Sequence, residues 1–227
     1  AEQNIQMSAK PLSAMIGLTN VCNLQCVFCP YCGVCTKKIQ KKQEISKVNL
    51  EKLSTLFPTV EFLNPSLRGE PFLYSYFDEF IEYCRQGDVL SKTHLTNNGT
   101  QLHRHDLRKL EGVNIVSVSF DGADKETFEL LRVGAKFEQV LSNMNKLRAE
   151  LPNTALQAAV VVCRLNLHQL ADIYTMVRER GFDYISFNTV YGLEDDKVIN
   201  LLRLRASDRT LLENQMKEIE RRNSDQK

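Results

Sequence analysis

Val113 to Phe120 read VNIVSVSF, and this run decides the fold class. It is rich in β-branched side chains, which pack well on a pleated surface, so it reads as a strand. Upstream of it, Phe77, Phe80, Ile81 and Cys84 recur at i, i+3, i+4 and i+7, the spacing of an amphipathic helix. Downstream, Phe137, Val140, Leu141, Met144 and Leu147 form the most regular helical face in the chain. A strand set between helices implies parallel neighbours, because parallel strands need long crossovers.

The pattern extends both ways. Further strands are expected at Ala14 to Thr19, at Val60 to Leu63, in a run ending at Leu95, at Ala155 to Val162 and at Tyr184 to Val190. Helices are expected around Leu50, Leu53 and Leu56; around Leu107 and Leu110; in two segments interrupted near Gly134; and around Leu170, Ile173 and Val177. A last helix, capped near Ser207 or Asp208, carries Leu211, Leu212, Met216 and Ile219, and the polar tail from Arg221 onward is expected to fray. Six alternating βα units predict an α/β fold, a partial TIM barrel of (β/α)6 type with outer helices. A flat doubly wound sheet is the alternative. Residues 1–13 read as an N-terminal segment, 14–206 as the core and 207–227 as a C-terminal helix and tail.

The charges of the 227 residues nearly cancel at +1, so no global field argues for nucleic acid or an anionic membrane. Hydrophobic residues make up 43%, enough for a sizeable core. No run approaches the roughly 20 apolar residues of a membrane span, and AEQNIQMSAKP lacks a signal-peptide core. The reading is a cytoplasmic protein acting on a peptide or a small molecule.

Ligands of such folds collect at the carboxyl ends of the strands, and four motifs fall there. The densest is TNVCNLQCVFCPYCGVCT, Thr19 to Thr36, with Cys22, Cys26 and Cys29 in CxxxCxxC spacing. In a reducing compartment, clustered cysteines favour metal over disulfides. Cys26, Cys29, Cys32 and Cys35 also suit a noncatalytic zinc or ferredoxin-like module. Three thiolates from CxxxCxxC instead ligate three irons of a cubane and leave the fourth open. Cys84 reads as a core residue, and the four histidines form no convincing metal pair, the HxH of His103 and His105 following an expected helix start.

CNLQCVFC, with Phe28 before its third cysteine, resembles the signature of the radical S-adenosylmethionine (radical SAM) superfamily. RGEP at Arg68 to Pro71 resembles its GGEP, TNNG at Thr96 to Gly99 its TNG, and SFDGADKETFELLR at Ser119 to Arg132 its SxD stretch. The resemblance implies a [4Fe-4S] cluster held by Cys22, Cys26 and Cys29, with SAM on its open iron. It implies adenine contacts at Phe28, an amino-group site at Gly69 and Glu70, and ribose contacts at Ser119 and Asp121. By position, Arg164 is assigned to the SAM carboxylate and Asn188 to ribose or adenine. A flavodoxin- or ferredoxin-like electron donor is implied. The SFDG region looks most like SPASM/twitch members, which carry a cysteine-rich C-terminal extension; no cysteine follows Cys163, so auxiliary clusters are not expected in that region. Cys32 and Cys35 are given no role.

Overall fold

The computed structural model describes residues 10–31, 41–191 and 197–225. Six parallel strands, β1 (Ser13–Met15), β2 (Phe62–Asn64), β3 (His94–Asn97), β4 (Ile115–Ser119), β5 (Ala155–Val162) and β6 (Tyr184–Thr189), stand side by side in chain order. The step from β2 to β3 is a single bridge between Leu63 and Thr93. A doubly wound sheet reverses its strand order at a switch point. This order never reverses, so the strands follow the course of a barrel sheet.

Strand register decides which side chains face the barrel interior. Along β5 burial alternates, with Leu156, Ala158, Val160 and Val162 almost fully buried and Gln157, Ala159 and Val161 less so. Paired residues of parallel strands share a face, so Thr96 with Ser117, Ser119 with Ala159, and Val161 with Asn188 rise along the inner side. The inner side therefore ends in small and polar groups at the carboxyl edge.

The helices α1 (Lys47–Ser54), α2 (Phe77–Gln86), α3 (Lys125–Leu131), α4 (Phe137–Glu150) and α5 (Leu170–Glu179) fill the crossovers. Ser46 and Asp124 cap α1 and α3, accepting from the amides of Asn49 and Thr127. The rings of Phe120, Phe128 and Phe137 lie 5.2 to 5.9 Å apart and seat α3 and α4 against the end of β4. Gly122 makes that approach possible, since a Cβ there would stand 2.6 Å from the amide nitrogen of Phe128. Cys84 is fully buried in the core, as its place on the helical face requires.

Four local expectations are corrected. The first strand is shorter than Ala14 to Thr19: after Met15 the chain leaves the ladder to bridge Ser66 at Gly17 and Glu44 at Thr19. The helix expected at Leu107 and Leu110 is two 3-10 turns, Leu102–Arg104 and Leu107–Leu110. Extended His105 separates them, its ring packed on Phe72 and Phe77. A short helix not anticipated, α6 (Lys197–Leu202), buries Ile199 and Leu202. The final helix, α7 (Arg209–Ser224), runs through Arg221 and Arg222 without fraying there.

The reason lies in Arg222. Its Nη1 donates to the Ala171 carbonyl at 2.8 Å and to Thr175 Oγ1 at 2.9 Å on α5, and it pairs with Asp172 at 3.0 Å. Replacing a charged donor that satisfies several acceptors removes about 1–2 kcal/mol. Arg222→Ala is therefore expected to lower the unfolding free energy read from urea titration by that amount, whereas a frayed tail would leave it unchanged.

Candidate active site

A cavity of about 400 Å³ opens at the carboxyl edge. One end is made by the cysteine loop, from which Cys22, Cys26, Phe28 and Cys29 face it; Ser66, Gly69 and Glu70, after β2, line it beside that loop, with Glu70 N donating to Val21 O at 2.7 Å. Thr96, Ser119, Val161 and Asn188 reach it from β3, β4, β5 and β6, the inner-face positions that register selects.

The cysteine loop has little regular structure of its own and is held by the backbone of another segment. Gln25 N donates to Val133 O at 2.8 Å and Val27 N to Leu131 O at 3.0 Å, so the loop lies along residues 131–133. Arg132 sits between those two anchors. Its side chain is buried, with Nη1 3.9 Å from Cys26 Sγ and Cζ 5.7 Å from the Phe28 ring centre. Nε stands 2.5 Å from Asp121 Oδ2 without the angle of a hydrogen bond, an ion pair between fully desolvated groups. Asn98 Nδ2 lies 3.9 Å from Cys22 Sγ and donates to Asn23 Oδ1 at 3.0 Å.

Among the described residues, no three His, Cys, Asp or Glu side chains close on one point as the ligands of a single ion would. A cubane has different needs, since each thiolate holds its own iron and the sulfurs stand wider apart. Three thiols at one end of a cavity, with N–H groups turned toward two of them, fit such a cluster, because donors to the ligand sulfurs stabilise its negative charge. Burial pushes the Cys26 thiol up and Arg132 pulls it back.

Glu70 shows why GEP is a structural as well as a chemical motif. Its Oε1 accepts from Phe72 N at 3.2 Å and its Oε2 from Asn98 N at 2.8 Å, joining the ends of β2 and β3. Gly69 has φ +67°, and a Cβ there would lie 2.4 Å from the Thr19 carbonyl oxygen. Burial raises the Glu70 carboxyl to about 7, against the pull of the two amides and Arg132.

The structure brings Cys22, Cys26, Cys29, Phe28, Gly69, Glu70, Ser119 and Asn188 to one cavity. Two other expected residues stand outside the cavity lining. Asp121 is fully buried, outside the cavity lining, and engaged with Arg132 and with the Val161 amide at 2.6 Å. Arg164 pairs with Asp208 at 3.2 Å and does not line the cavity. Cys32 and Cys35 lie outside the described residues. Sequence reasoning gave no role to Arg132, Ser66 or Asn166. Arg132 was legible only as a cation ending the SFDG run, while Asn166, which bridges the Asp121 and Val161 carbonyls at 2.9 Å each, left no signal.

The model of the family described as the radical SAM superfamily matches residues 16–177. The chain belongs to the radical SAM superfamily. Members of this family use a [4Fe-4S] cluster and SAM. A GTP 3′,8-cyclase of Klebsiella pneumoniae subsp. pneumoniae is 25% identical over 167 residues, covering 73% of this chain and 51% of that protein. The chain thus spans about half the length of the curated relatives it matches. Among solved structures, Streptococcus suis SuiB bound to S-adenosylmethionine superposes with TM-score 0.72 at 16% identity, covering 94% of this chain and 48% of that one. The anSMEcpe structure with bound AdoMet gives TM-score 0.71 at 21% identity, with 91% and 57% covered. These neighbours share the parallel α/β fold of this radical SAM chain, consistent with the partial barrel.

Glu70 yields a signed pH effect. With a folded pKa of about 7 against an ordinary 4.5, the folded state holds its proton longer than the unfolded chain. The neutral carboxyl's advantage is complete below pH 4.5 and is lost as pH rises through 7, on the order of 3 kcal/mol in all. Glu70→Gln lacks this slope and turns an NH₂ toward one of the two amides, so it is less stable than wild type at pH 5. Urea titrations without cluster or SAM are expected to show the gap narrowing between pH 5 and 7 and constant above.

Proposed function

We propose that this chain is the catalytic core of a radical SAM enzyme that abstracts a hydrogen atom from a peptide or protein side chain. The observation that carries the reading is that one cavity collects the three CxxxCxxC thiols, Glu70, Ser119 and Asn188 from four separate places in the sequence. Cys22, Cys26 and Cys29 would hold the [4Fe-4S] cluster. When bound, the cluster and SAM supply a one-electron cleavage to methionine and a 5′-deoxyadenosyl radical, which takes the substrate hydrogen.

The chain's own groups orient and shield that chemistry. Glu70 and the Gly69 backbone form the acceptor end for the ammonium of SAM, Glu70 ionising as a cation arrives beside it. Ser119 and Asn188 offer polar groups on the inner face for ribose or adenine, and the Phe28 segment offers its backbone to adenine. Leu24, Phe28, Pro30 and Val161 supply apolar wall that excludes water from a reactive radical.

The cavity has room for one ligand of SAM's class. A substrate must therefore present its reacting carbon from the mouth, where Tyr191 is 88% exposed beside Asn188 and Thr189. A side chain on a longer peptide can do so. Support also comes from structural neighbours described as SuiB bound to precursor peptide SuiA and anSMEcpe with AdoMet and Kp18Cys peptide. A low-potential donor of the flavodoxin or ferredoxin kind would deliver the electron. No helix among the described residues is long and apolar enough to cross a membrane.

After anaerobic reconstitution, dithionite and SAM are expected to yield 5′-deoxyadenosine, and Cys22→Ala is expected to lose both the cluster and this product by more than about 100-fold. A Cys22→Ala protein that keeps a four-cysteine metal site while wild type makes no 5′-deoxyadenosine would instead establish the noncatalytic module.

A further inference from the structure

Arg132 is the only buried cation among the described residues. Burying a guanidinium is costly unless its charge is met, and Asp121 meets it from one side. Asp121 is itself committed: Oδ1 takes the Val161 amide at 2.6 Å, and Oδ2 faces Arg132 Nε. The guanidinium fork carries more donors than Asp121 engages. One of them, Nη1, is aimed at Cys26 Sγ at 3.9 Å, and the group lies against the Phe28 ring. A cysteine that ligates iron does so as a thiolate, so Nη1 is placed to meet negative charge.

We propose that Arg132 tunes the cluster. It donates an N–H···S hydrogen bond to the Cys26 thiolate and raises the cluster's reduction potential, and Asp121 sets how much of the arginine's charge the cluster feels. The proposal rests on the reading that Cys22, Cys26 and Cys29 hold a [4Fe-4S] cluster. Reduction adds one electron to the cluster, supplied by an external donor such as dithionite, and adds no proton. A fixed positive charge in a desolvated wall favours the more negative, reduced form. Asn98 provides an internal contrast, since its Nδ2 stands at the same 3.9 Å from Cys22 Sγ but carries no charge. Arg132 acts through Cys26 and is a positioning residue.

The test begins with iron and sulfide content and the electron paramagnetic resonance spectrum of dithionite-reduced wild type. Failure to form a [4Fe-4S] cluster there overturns the functional reading itself. Given a loaded wild type, Arg132→Gln and Asp121→Asn are titrated without SAM. The midpoint of Arg132→Gln is expected below wild type and that of Asp121→Asn above it. A role in packing alone would reduce cluster content without opposite shifts, and equal midpoints in loaded proteins overturn the proposal. Should either variant fail to load, wild type grown on arginine labelled with ¹⁵N in its guanidinium serves instead. Electron–nuclear double resonance of its reduced cluster is expected to show ¹⁵N coupling, and absence of coupling overturns the proposal.

Discussion

A buried ion pair between Arg132 and Asp121 is the constraint on which the site depends. Neither group has water to fall back on, so each holds the other's segment in place. Asp121 continues from the end of β4 and grips the Val161 amide of β5; Arg132 follows α3 and lies under the cysteine loop. Asn166 completes the joint by holding the Asp121 and Val161 carbonyls and accepting from Cys163 N at 2.8 Å. Removing one partner would strand a charge in the interior, at a cost of about 3–5 kcal/mol. The cysteine loop, with little internal structure, is thereby seated on a rigid base.

The wall that follows β2 obeys the same economy with the opposite sign. Glu70 is an anion's place in a dry environment, satisfied by amides from its own turn and from the end of β3. Two amides do not fully offset burial, which leaves the carboxyl poised near neutrality. An arriving ammonium completes the set. Acid, cation and sulfur therefore share one end of the cavity: Asn98 gives its amide N–H to Glu70 and turns its side-chain nitrogen toward Cys22, and Arg132 faces Cys26. Apolar side chains of the same lining keep the local dielectric low and strengthen both charges.

Strand order and register connect these walls. Because the strands run in parallel chain order, every carboxyl end opens on the same edge, and each adjoining loop can contribute. Because side chains alternate along a strand, only certain positions at that edge look inward: Thr96, Ser119, Val161 and Asn188 do. The adjoining turns supply the rest. This is how motifs far apart in the sequence become one site of a radical SAM fold.

Much of this was written in local pattern. Val113 to Phe120 announced a strand, and the ladder occupies Ile115–Ser119 within it; Ala155–Val162 coincides with its expected bounds; the spacing of Phe137 to Leu147 describes the buried face of α4. CxxxCxxC and the three accompanying motifs declared the kind of donors available, since spacing and residue type are properties of a few adjacent residues. What only the tertiary structure decided is which charge meets which. Asp121 and Arg164 bear side chains that suit a ligand, yet Arg132 and Asp208 claim them. The tail read as frayed is pinned by Arg222 to α5, and an expected helix gave way to 3-10 turns around His105. Those outcomes depend on how crossovers pack and how strands register, and a charge buried far from water goes to the partner that packing places beside it.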